Sequence, residues 1–79
     1  MHAKDLASLI AFHRKKAKLT QVELAELAGV SRFVVQAVEA GSGRTTWRHI
    51  ESILKSLNLT LEPLGPLVEM WRKSKEFSE

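Results

Sequence analysis

No cysteine occurs in the chain, so no disulfide can brace it and no thiolate is available to a metal. The three histidines, His2, His13 and His49, would need a carboxylate and convergent geometry to hold zinc, and their spacing suggests neither. No metal and no other cofactor is expected. Tyrosine is also absent, and no Ser/His/Asp set has the logic of a triad, which argues against an enzyme. No apolar run approaches the ~20 residues of a membrane span. Lys4 and Asp5 precede a stretch soon interrupted by His13, Arg14, Lys15 and Lys16, so the N-terminus does not read as a signal peptide. A cytoplasmic protein with no membrane partner is expected. Repeats, linkers and low-complexity segments are missing too.

What is present is one small domain of 79 residues. A chain of this size buries only about 60–65% of its unfolded surface, so its own core is marginal. Oligomerisation is the remaining way to add buried area. The net charge of +3 and the pI of about 9.6 suit a polyanionic partner, although many proteins with no such partner carry as much.

Residues 4–17 carry the stripe of a core-facing helix in Leu6, Leu9, Ile10, His13 and Ala17, with Phe12 off the stripe. His13 reads as a stripe residue packed by its ring. Arg14, Lys15, Lys16 and Lys18 are either a solvated helix end that complements the dipole or direct contacts to a polyanion. Leu19 is expected between the first two helices. Thr20 and Glu23 form the capping box of a second helix, in which Leu24, Ala25 and Ala28 face inward. Gly29 supplies the positive φ of a tight turn, Val30 plugs that turn into the core, and Leu27 stays near the surface. Ser31 caps a third helix, with Val35 and Val38 inward and Val34 partly buried. Arg32, Phe33 and Gln36 then point outward together, and Gly41 closes the helix. The stretch Thr20–Gly41 has the layout of a helix-turn-helix, whose second helix enters the DNA major groove.

Thr45 or Thr46 caps a fourth helix whose apolar stripe is Trp47, Ile50, Leu54 and Leu57, with Ile53 beside them. From Asn58 the period switches to alternation, through Leu59 and Leu61 to Pro63, which predicts a short strand. A lone strand recruits another chain, so Asn58–Glu62 is expected to pair with its symmetry mate, with Leu57, Leu59 and Leu61 as dimerisation residues. The alternative is a segment packed on its own chain. Pro66 suits the first position of a last helix, roughly 67–75. Met70 and Trp71 on it are either anchors for a partner protein or the completion of the protein's own core. The expected organisation is a DNA-binding unit over 4–57, a dimerisation strand over 58–64 and a C-terminal helix and tail over 66–79.

The chemistry of a DNA site is available in this layout. Arg32 suits bidentate reading of guanine, and Gln36 suits adenine. Gln21 opens the second helix, where backbone N–H groups and a side-chain amide can meet a phosphate. Arg44, Thr45, Thr46 and Arg48 cluster at the start of the fourth helix as a phosphate clamp, with Thr46 equally readable as a plain N-cap. Phe33 either touches a thymine methyl or folds back on the protein surface.

The segments LTQVELAELAGVS at 19–31 and VVQAVEAG at 34–41 resemble the helix-turn-helix of the Xre/Cro and phage-repressor family, over roughly residues 6–57. That resemblance implies an all-α, lambda-repressor-like bundle. RTTWRHIESILKSLNLTLEPL at 44–64 is similar to HipB-type antitoxins, which repress their own operon as dimers and bind a HipA-type toxin kinase. The resemblance further implies that Gln21 meets phosphate, that Ser31, Arg32, Phe33 and Gln36 face the groove, and that Glu39 pairs with Arg14 as a structural salt bridge. Phe33 departs from the small or polar residue usual at its position. The implied partners are a palindromic double-stranded operator, a second copy of the chain and a HipA-type kinase, which places the protein on the nucleoid. The other readings are a stand-alone repressor of the Xre or phage type, and a protein-interaction module that has lost DNA binding.

Overall fold

A computed structural model describes residues 2–78. The chain is all-α: α1 is Ala3–Lys16, α2 Gln21–Ala28, α3 Arg32–Glu39, α4 Trp47–Ser56 and α5 Val68–Ser78. Each of the first four helices stops in the same way. A residue with left-handed backbone follows the helix, and the next N–H reaches back five residues to a free carbonyl. Gly29 (φ 70°) and Gly41 (φ 72°) fill that position after α2 and α3, where a side chain would be strained. Lys18 (φ 59°) and Asn58 (φ 58°) fill it after α1 and α4. The returning bonds run from Leu19 to Arg14, Val30 to Ala25, Ser42 to Ala37 and Leu59 to Leu54, at 2.8–3.2 Å.

Helix starts are equally local. The Thr20 hydroxyl accepts from the Glu23 N–H at 3.0 Å, and the Thr20 N–H donates to the Glu23 carboxylate at 2.8 Å. Ser31 Oγ accepts from the Val34 N–H at 3.2 Å. Thr46 is the N-cap of α4 without a side-chain cap bond.

The core joins Ile10 of α1, Leu24 and Ala25 of α2, Val35 and Val38 of α3, and Ile53 and Leu54 of α4. Leu19, Val30 and Leu59, each the residue after a left-handed stop, pack half-buried against it. Helix α2 lies between α3 and α4, while α1 covers α3. The loop after α3 rests on the first turn of α1: a Cβ on Gly41 would come within 3.3 Å of Lys4 Cγ, and one on Gly43 within 3.6 Å of the Ala3 Cβ.

Three expectations change. Trp47 is 56% exposed and not part of the buried stripe. At 100° per residue it lies about 70° from the middle of the arc formed by Ile50, Ile53, Leu54 and Leu57. Within the single chain the segment after α4 forms no strand: residues 59–64 have no regular structure, and there is no strand among the described residues. Asn58 belongs to the α4 stop, and the Leu59 N–H is spent on Leu54, so neither opens a ladder. The last helix begins at Val68, and α5 packs substantially on none of the other four. Arg72 reaches Glu62 at 3.8 Å as its tie to the preceding segment, an exposed pair of small energetic worth.

Candidate nucleic-acid interface

The interface is built on α3, because burying Val35 and Val38 fixes which arc of that helix faces out. Arg32, Phe33 and Gln36 lie on the outer arc, and all three are exposed. Phe33 keeps 65% of its surface and does not fold back on the bundle. Its ring instead carries the Arg32 guanidinium, 5.0 Å from the ring centroid. Ser31 is spent on the cap. Ala37 and Ala40 share the outer arc and were absent from the expected contacts. The 100° spacing from Phe33 marks them, but alanine carries no polar group to draw attention.

One charge on α3 is removed from that face. Glu39 is half-buried beside Arg14 and accepts from it twice, from Nε at 2.7 Å and from Nη2 at 2.9 Å. Arg14 Nη1 also donates to the Leu19 carbonyl at 2.8 Å. The hydrogen bond to Glu39 raises the Arg14 pKa above its ordinary value, against the cost of burial and with the help of the Glu39 charge. Gln21 joins this cluster, its amide donating to Glu39 at 3.1 Å. The side chain expected at a phosphate is therefore half-buried and partly committed. At the start of α2, hydrogen bonds from Thr20, the backbone N–H first, hold the Glu23 carboxyl below its ordinary range.

The second group lies at the start of α4. Arg44, Thr46 and Arg48 are exposed, and the Arg44 N–H donates to Ser42 Oγ at 3.3 Å. The Thr46 hydroxyl is not used as a cap, which leaves it open to solvent. Thr45 turns half-buried into an apolar cavity of 290 Å³ lined also by His2, Leu6, Trp47, Ile50 and Leu61. It stands apart from its neighbours in the clamp.

The remaining candidates spread over other surfaces. Leu57 and Leu59 are half-buried on the core rim, and Leu61 is 36% exposed at the cavity mouth. Met70 and Trp71 are 68% and 47% exposed on α5, with Lys75 lying 4.8 Å over the Trp71 ring. They do not complete the bundle core. His13 donates or accepts within its own helix, 2.8 Å from the Leu9 carbonyl, and sits edge-on to Phe12. Among the described residues no group of side chains could hold a metal ion, and no helix is long and apolar enough to cross a membrane.

The helix-turn-helix family matches residues 10–64. Two solved structures are similar over 82% of this chain and 92% of theirs, at 26% identity. One is described as MDT protein, with a TM-score of 0.76, and the other is a chain of a HipA–HipB–O2–O3 complex, with a TM-score of 0.75. The curated proteins contain no match.

Proposed function

The chain belongs to the helix-turn-helix family, and on that premise we propose that it is a dimeric, operator-binding repressor and the antitoxin partner of a HipA-like kinase. The observation that carries this reading is the likeness, across four-fifths of the chain, to a component of a HipA–HipB–O2–O3 complex. The exposed arc of α3 supports it, since the helix's only acid lies off that arc, paired with Arg14. In this reading Ser31, Arg32, Phe33 and Gln36 face base edges. Arg44, Thr46 and Arg48 hold phosphates, with the half-buried Gln21 amide at the start of α2 beside them, and phosphate contacts supply most of the affinity. Two copies joined through Leu57, Leu59 and Leu61 present their α3 helices about 34 Å apart to a palindrome. Met70 and Trp71 are the toxin-facing anchors.

The test is copurification of the full chain with the product of the adjacent reading frame, followed by titration with duplex DNA from upstream of its own gene. A kinase-like partner and preference for that duplex over random sequence are expected. Equal affinity for both duplexes would refute the repressor. A sequence-specific dimer with no copurifying kinase would refute the antitoxin half and leave a stand-alone repressor.

A further inference from the structure

We infer that Arg32 and Phe33 act as one reading unit for a base step made of a guanine and an adjoining 5-methylpyrimidine. The inference rests on the DNA-binding reading and names what its recognition helix selects. The Arg32 guanidinium carbon lies over the Phe33 ring, 5.0 Å from its centroid, and both side chains stand in solvent at the exposed N-terminal turn of α3. Stacking occupies one face of the guanidinium but not its edge, where the N–H donors lie. No acceptor among the described residues engages that edge.

A guanidinium coplanar with guanine donates its two N–H groups to O6 and N7. A ring whose centroid lies 5.0 Å from that guanidinium carbon reaches past the guanine to the neighbouring base pair, one step of about 3.4 Å away. The group that an apolar ring meets there in the major groove is the C5 methyl of a pyrimidine. Cytosine without that methyl offers an N–H donor edge that phenylalanine cannot satisfy. The stack also holds both side chains before DNA arrives, so less rotamer freedom is lost on binding. Thymine and 5-methylcytosine carry the same methyl and are separated by experiment.

Full-length protein is used to select duplexes from a random pool, and the selected site is then resynthesised. We expect a guanine next to thymine at the same place in both half-sites. Replacing that thymine with deoxyuridine removes one methyl contact, about fourfold per half-site and about fifteenfold for both. Replacing the T·A pair with C·G is expected to weaken binding further, and 5-methylcytosine at that position to recover the methyl's share, about fourfold per half-site, and not the rest. The Phe33→Ala protein keeps the guanine and becomes indifferent to deoxyuridine, whereas Arg32→Ala loses the guanine preference. Selection of a sequence in which deoxyuridine binds wild type as well as thymine overturns the inference, as does an unchanged step in Phe33→Ala. Recovery of no sequence at all overturns the DNA-binding reading itself.

Discussion

Removing the carboxylate of Glu39 is the sharpest test of how α3 is held. Its side chain is 8% exposed and that of Arg14 12%, so the pair is shielded from water and little screened by salt. In Glu39→Gln the Arg14 guanidinium stays buried with the Leu19 carbonyl and a neutral amide as its acceptors. Breaking a fully buried pair from one side costs about 3–5 kcal/mol, and the partial burial and the retained amide put this case near ~2 kcal/mol. A domain of this length has roughly 4–12 kcal/mol in total. The melting temperature should therefore fall by roughly 8–16 °C. Arg14→Met strands the carboxylate with one donor, the Gln21 amide, and is expected to cost about as much. The double variant buries no charge and loses mainly the bond to Leu19, about 1 kcal/mol. Urea unfolding followed by far-UV circular dichroism, with unchanged slope, measures all four proteins. Single variants that each cost under about 1 kcal/mol, or a double variant equal to their sum, would refute the claim that this pair clasps α3 to α1.

Gln36→Ala should relax sequence preference, whereas Arg44→Ala should weaken binding evenly and lower the salt slope by about one; equal effects on every sequence from both would defeat that division. Leu61→Asp should give monomers in sedimentation, and an unchanged mass would remove Leu61 from the dimer surface. The Glu23 carboxyl is lowered by its bonds to Thr20, so the capping box contributes fully above its ordinary pKa of 4.5 and is lost as pH falls through the lowered value. Wild type should therefore lose more of its melting temperature in acid than Glu23→Gln, and parallel pH curves would show that the box carries no linkage.

The fold class and the turn were legible because their signals are local. Thr20 with Glu23, Gly29 and Ser31 each act within a few residues, and each sits where its chemistry placed it. Lys18 and Asn58 were harder. Neither is glycine, and their left-handed backbone is imposed by Leu19 and Leu59 returning to the core. That return also gives the alternation after Asn58 a cause within the chain, since Leu59 packs beside α4. Trp47 matched a helical period but fell at the edge of the arc, and only the crossing of α4 over the core decides that. At the site, the outward set of α3 followed from its period. The capture of Gln21 by Glu39, eighteen residues away, has no local signature. Nor does the stack of Arg32 on Phe33, because both residues are compatible with several rotamers.

The seating of the α3–α4 loop on the first turn of α1 makes the two ends of this protein unequal for anyone who labels it. His2 lines the same cavity as Gly43 and Thr45, one residue either side of Arg44. Lys4 already fills the space beside Gly41. A dye or affinity handle joined ahead of His2 therefore crowds the loop that carries Arg44, one of the proposed phosphate contacts. The same handle joined beyond α5 hangs from an arm that leaves the four-helix bundle free.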